Sequence, residues 1–102
     1  MSDIRAARNT LTQRILQGEG ETSPSQRRAA FDNSGLSGPA GLLVNTVARH
    51  AYRVTDDDIA AVKTSGVSED QIFELVICAA LGQATRQYEA GTAALKKATG
   101  KE

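Results

Sequence analysis

Apolar residues recur every three or four positions along most of this chain, the period of a helix with one buried face. Ile4, Ala7, Leu11 and Ile15 fall at that spacing, with Arg5, Arg8, Thr12 and Gln13 off the stripe. The pattern predicts a helix over residues 3–17, with Ser2 as its N-cap. Gly18-Glu19-Gly20 ends it, and residues 19–23 form a polar surface loop. Ser23-Pro24 opens a short second helix running to about residue 32. Proline suits the first helical position, where a missing N–H costs nothing. Asn33-Ser34-Gly35 and Ser37-Gly38-Pro39 are loop chemistry. A third helix over 39–52 presents Leu43, Val44, Val47, Ala48, Ala51 and Tyr52 on one face, with Gly41 weakening its first turn.

The second half is punctuated more sharply. Thr55 followed three residues on by Asp58 is a capping-box variant, and Asp56, Asp57 and Asp58 sit where the helix dipole favours negative charge. Ile59 and Val62 supply the buried side of this fourth helix, and Gly66 stops it. Ser68 with Gln71 is a full capping box and opens a fifth helix running to about residue 98, with Gly100 as the stop. Residues 72–81 are apolar on nearly every face, which predicts burial on all sides. Beyond Gly82, which we expect to mark a bend, the pattern narrows to a stripe of Ala84, Tyr88, Gly91 and Leu95.

These elements predict one all-α domain over residues 1–102, a compact bundle of about five helices around one long buried C-terminal helix. Residues 1–38 form its N-terminal helices and loops, and residues 39–99 its helical core. Four short companions do not suffice to cover a ten-residue stretch that is apolar at all positions but Glu74. Each side chain left uncovered would release about 1.5–3 kcal/mol on burial. We therefore expect a homo-oligomer, dimer or larger, through the helix from Ile72 to Leu95, with a protein partner as the other possible occupant.

Composition narrows the function classes. With 4% aromatic residues and no Trp, the core is built from Leu, Ile, Val and Ala. Lys plus Arg number 12, as do Asp plus Glu, so the formal net charge is zero. That argues against nucleic acid, whose phosphates require an excess of cation, and against a polybasic membrane-surface protein. The longest apolar run, residues 75–81, is far too short to span a bilayer. Residues 1–14 are broken by Asp3, Arg5, Arg8 and Arg14, so they lack the apolar region of a signal peptide. A single cysteine, Cys78, excludes an intrachain disulfide and a thiolate metal cluster, and fits a reducing cytoplasm.

The stretch from His50 to Leu75 carries Val-Thr-Asp-Asp-Asp-Ile, a Gly66 turn, and then Ser-Glu-Asp-Gln-Ile-Phe-Glu-Leu leading into the long apolar helix. It resembles the carboxymuconolactone decarboxylase / alkylhydroperoxidase-D-like family, over about residues 42–95. The resemblance implies an all-α fold and obligate oligomers. In the redox members of that family, catalysis belongs to a Cys-x-x-Cys pair followed by a His, usually with a nearby Glu. This chain has no such pair, so no catalytic residue carries over.

The remaining chemistry candidates are few. Cys78, in the apolar run, fits a small core residue, whose thiol burial would render unreactive. His50 is the only histidine and lies beside Arg49 and Arg53. A cation at a helix C-terminus is favourable, and a lone His is a poor metal site. Capping accounts for Asp56, Asp57 and Asp58 without a cation. Arg27 and Arg28 fit solvated faces or inter-helix ion pairs, Tyr52 an interface or pocket, and Tyr88 a core stripe. No cofactor or metal is implied. We expect a non-catalytic accessory or interaction module. Two alternatives stay open: a cysteine-independent lactone decarboxylase-like or isomerase-like enzyme using His50, Arg49 and Arg53, and a peroxidase using Cys78 alone.

Overall fold

The computed structural model describes residues 2–100, with side chains from residue 5 onward. Among the described residues the chain forms five α-helices and one short 3-10 turn. They are α1 (Ser2–Gln17), α2 (Pro24–Asp32), α3 (Gly38–His50), α4 (Asp56–Thr64) and α5 (Glu69–Thr99), with the 3-10 turn at Ala51–Arg53 between α3 and α4. The all-α bundle expected from the sequence is therefore present.

Three of the helix starts follow from their caps. Ser23, Thr55 and Ser68 each accept a hydrogen bond from the backbone N–H three residues on. Gln26, Asp58 and Gln71 each accept one in turn from the capping residue's own N–H. Such reciprocal pairs satisfy donors that a helix end otherwise leaves orphaned. Gly100 closes α5 at φ 72°, a left-handed conformation that glycine adopts without strain. Helix α1 already includes Ser2, so its cap lies outside the described residues.

Helix α5 is the axis of the bundle. Helices α2 and α3 make the most extensive contacts with it, and α4 leans on both α3 and α5. Phe31 from α2, Leu43, Val44 and Val47 from α3, Val62 from α4, and Ile72, Leu75, Cys78 and Ala79 from α5 form the core. Helix α1 is held more thinly, with Leu16 as its buried anchor.

Five expectations need correction, the first at the end of the third helix: α3 stops at His50, and Ala51 and Tyr52 stand exposed in the 3-10 turn and not on its apolar face. Residues 72–81 are not enclosed: Phe73 and Ala80 are exposed, and Val76, Ile77 and Leu81 are half-buried, because the companions cover little more than one side of α5. Gly82 does not interrupt α5, which continues as one helix to Thr99. Glycine is required there because a Cβ would stand 1.9 Å from the Phe31 carbonyl oxygen of α2. On α1, Ala7 and Leu11 are exposed and Ile15 is half-buried; Leu16, one position off the expected stripe, is the residue that enters the core. Tyr88 is at the surface, its ring covered in part by the Arg8 guanidinium 4.0 Å from the ring centroid.

Candidate functional site

The most connected polar cluster lies where the α1–α2 loop meets α5, around Glu74. This is the one charge within residues 72–81. Its carboxylate accepts the backbone N–H of Glu21 at 2.7 Å, the backbone N–H of Thr22 at 2.9 Å, and the Thr22 hydroxyl. Gln71, one turn earlier on α5, donates to the Glu21 carbonyl at 3.2 Å. The loop approaches so closely that a Cβ on Gly20 would stand 2.9 Å from both carboxylate oxygens. Glycine is what lets this backbone lie against the carboxylate.

Arg27, in the first turn of α2, completes the cluster. Only 4% of the residue is exposed. Its Nη1 donates to the Ile15 carbonyl at 2.8 Å and its Nη2 to the Thr22 carbonyl at 3.1 Å, while Nε makes no hydrogen bond. The Ile15 carbonyl belongs to the last turn of α1, whose carbonyls have no intrahelical partner. A buried cation there both fills an acceptor and meets the negative end of the helix dipole. Arg86 repeats the device: its Nη1 donates at 2.7 Å to the Phe31 carbonyl, in the last turn of α2.

Cys78 follows Glu74 by four residues and shares its face of α5. It is fully buried. A cavity of about 250 Å³ lies beside it, lined by Arg14, Ile15, Arg27, Glu74, Ile77 and Cys78 among others. Burial pushes the Cys78 thiol up, and the Glu74 charge adds to this, outweighing the opposing pull of Arg27. Glu74 is shifted the other way. The Glu21 N–H and the Thr22 hydroxyl, then the Thr22 N–H and the Arg27 charge, hold it below the usual carboxylate range despite its partial burial. The cluster thus pairs an ionised carboxylate, already occupied by three donors, with a protonated thiol. Its chemistry is that of a latch, and a thiol held protonated is a weak nucleophile.

The latch has a pH signature. A depressed folded-state pKa contributes stability that is present above the unfolded value, about 4.3 for Glu. That stability is lost as pH falls through the folded pKa. Glu74→Gln is therefore expected to be less stable than wild type at pH 7, with the difference shrinking between pH 5 and pH 3. Urea midpoints at each pH measure this, and a difference that stays constant down to pH 3 would contradict the latch.

The polar candidates at the end of α3 sit elsewhere. Arg49 and His50 are exposed on the last turn of α3, and Arg53 is exposed on the 3-10 turn. Arg49 Nε donates to Asn45 Oδ1 at 3.0 Å. The His50 ring meets the edge of Tyr52 at 5.9 Å between centroids, and the Arg53 guanidinium lies 5.7 Å from the Tyr52 centroid. None of the three lines the cavity beside Cys78. Tyr52 lines none of the described cavities and is 79% exposed. Asp56, Asp57 and Asp58 occupy the first turn of α4, with Asp58 closing the capping box. Among the described residues, no group of three or more His, Cys, Asp or Glu side chains is arranged to hold a metal ion. Arg28 pairs with Asp32 on the surface of α2, whereas Arg27 is buried and neither solvated nor in an ion pair. Lone-charge reasoning could have singled out Glu74, since a carboxylate in an apolar run needs donors. The pairing with residues 21 and 22, some 50 positions away, has no local signal.

No family model, curated protein or solved structure matches this chain. No helix among the described residues is long and apolar enough to cross a membrane.

Proposed function

We propose that this chain is a homo-oligomeric helical module with a non-catalytic, interaction-based role. On this reading it resembles the carboxymuconolactone decarboxylase / alkylhydroperoxidase-D-like family in its C-terminal half, without that family's thiol chemistry. One observation carries the proposal: α5 leaves large apolar side chains exposed on the side turned away from its core contacts. Phe73 is 66% exposed and Leu95 64% exposed, on the element that also forms the centre of the core. Large apolar side chains exposed along one helix mark an association surface, whereas scattered ones do not. The burial of Cys78 and the separation of His50, Arg49 and Arg53 from its cavity support the same reading. A free buried thiol fits a reducing cytosol.

Size-exclusion chromatography with light scattering, over a dilution series that also follows helicity, tests this. The expected result is a dimer or larger that loses helix as it dissociates, with Phe73→Glu shifting the equilibrium toward monomer at least tenfold. A fully helical wild-type monomer at every concentration would overturn the proposal.

A further inference from the structure

Helix α1 is joined to the bundle differently from the other four. Among the described residues it touches the bundle least, and Leu16 is the one buried side chain it offers. Its main attachments are three. Leu16 enters the core, the Ile15 carbonyl accepts Arg27 Nη1 at 2.8 Å, and the Arg8 guanidinium lies 4.0 Å from the centroid of the Tyr88 ring. The chain just beyond α1 is anchored more firmly. Thr22 is buried, and its N–H, hydroxyl and carbonyl are all bonded, the first two to Glu74 and the third to Arg27 Nη2. The Glu21 N–H is held by the same carboxylate. Between this anchor and the last turn of α1 lie Gly18, Glu19 and Gly20, all exposed.

We infer that α1 is a hinged lid: it swings at residues 18–20 against the fixed anchor of Thr22, Arg27 and Glu74, and its opening exposes Cys78 while α2 to α5 stay folded. Two glycines in three residues suit a hinge, which takes up the movement as a change in backbone angles. Opening breaks the three attachments of α1 and leaves those of Glu21 and Thr22 in place. The Ile15 carbonyl and Arg27 Nη1 both gain water as they part, so the net cost of that bond is far below its gross strength. Leu16 alone gives up full apolar burial. Segments with few buried apolar contacts are the ones that open locally. Global unfolding must also separate Leu43, Val44, Val62 and Leu75, none of which belongs to α1.

The lid closes the cavity of about 250 Å³ beside Cys78. Helix α1 supplies Arg14 and Ile15 to its lining, the hinge supplies Glu19, and α5 supplies Ile77 and Cys78. The departure of α1 therefore removes part of the wall that seals a thiol with no exposed surface in the closed form. One movement frees α1 and opens the chain's single thiol to molecules in solution.

Two measurements on the whole chain test this together. Hydrogen exchange of the α1 amides, followed by mass spectrometry, reports the lid. Labelling of Cys78 with an aromatic disulfide reagent at fixed pH reports the cavity. In the wild-type chain both are expected to give one opening equilibrium, with α1 amides exchanging at least tenfold faster than those of the α3 core. Leu16→Ala, which loosens the lid, is expected to raise α1 exchange and Cys78 labelling together, at least tenfold. Val62→Ala separates local from global opening. It removes buried apolar volume on α4, which packs on α3 and α5, and so destabilises the closed and the lid-open forms alike. It is expected to lower the urea midpoint of global unfolding and to leave Cys78 labelling within twofold of wild type. Labelling that rises in Val62→Ala as far as global stability falls would mean that Cys78 is reached only by global unfolding, and would overturn the lid. Labelling unmoved by Leu16→Ala would overturn it from the other side, because the reagent would then enter past a closed α1.

Discussion

Gly82→Ala is expected to destabilise the protein by about 2–3 kcal/mol, lowering its Tm by roughly 10–20 °C for a chain of this size. Two effects oppose each other. Alanine is the better helix former, worth about 1 kcal/mol over glycine in a helix interior. Against that, the new Cβ would lie 1.9 Å from the Phe31 carbonyl oxygen, 2.7 Å from its carbon and 3.0 Å from the Phe31 Cα. Those are backbone atoms and cannot rotate away. The C-terminal turn of α2 must therefore move off α5. That movement strains the Arg86 hydrogen bond to the same carbonyl and loosens Phe31 and Ala30, both core residues. The steric cost exceeds the propensity gain, so the sign is destabilising. Thermal unfolding followed by circular dichroism measures it. A variant as stable as wild type would mean that α2 and α5 do not touch at this point.

How much of this was legible beforehand depends on the range of the interaction involved. Capping is local: Ser23, Thr55 and Ser68 announce their helices because cap and partner lie three residues apart, and the starts of α2, α4 and α5 are legible to the residue. Gly100 likewise marked the end of α5 from its own backbone preference. The period of apolar residues on α5 was legible too, but periodicity says that a face is apolar and not what covers it. The sequence of α5 alone cannot tell the side meeting α2 and α3 from the side left open, and so its pattern places Phe73 inside. Gly82 is ambiguous for a related reason. A glycine in a helix is consistent with a bend or with the close approach of another backbone, and the second depends on Phe31, 51 positions earlier. The Glu74 latch is the strongest case. The lone carboxylate was visible in the sequence, but its donors come from a loop that nothing nearby connects to it. His50, Arg49 and Arg53 stand out in the sequence because they are rare or adjacent, which reflects composition; the residues that the fold brings together are Thr22, Arg27, Glu74 and Cys78.

Arg27→Met is expected to cost about 2–4 kcal/mol, most of it from the joint between α1, the loop and α2. Methionine keeps much of the unbranched stem and removes every donor. The Ile15 and Thr22 carbonyls then lose a charged partner, at roughly 1.5–3 kcal/mol for each such bond. One term runs the other way. Arg27 is a buried cation with no carboxylate in direct contact, so its removal relieves a desolvation penalty. That relief is partial, because Arg27 also helps to hold the Glu74 carboxyl below its usual range, and Glu74 loses that support. Two orphaned carbonyls and one weakened carboxylate outweigh one relieved cation. Arg27 and Glu74 both hold the Thr22 segment, one through its carbonyl and the other through its N–H and hydroxyl. Their losses are therefore expected to be non-additive, with Arg27→Met/Glu74→Gln falling short of the sum of the single variants by at least 0.5 kcal/mol in a double-mutant cycle. Urea denaturation of the four proteins measures the coupling. The single variant is also expected to raise the rate at which a thiol reagent modifies Cys78, because the released loop no longer closes the cavity beside it. If Arg27→Met matches wild type in stability and Cys78 stays as protected as before, Arg27 does not hold α1 to the bundle, and the joint rests on Leu16 and Glu74 alone.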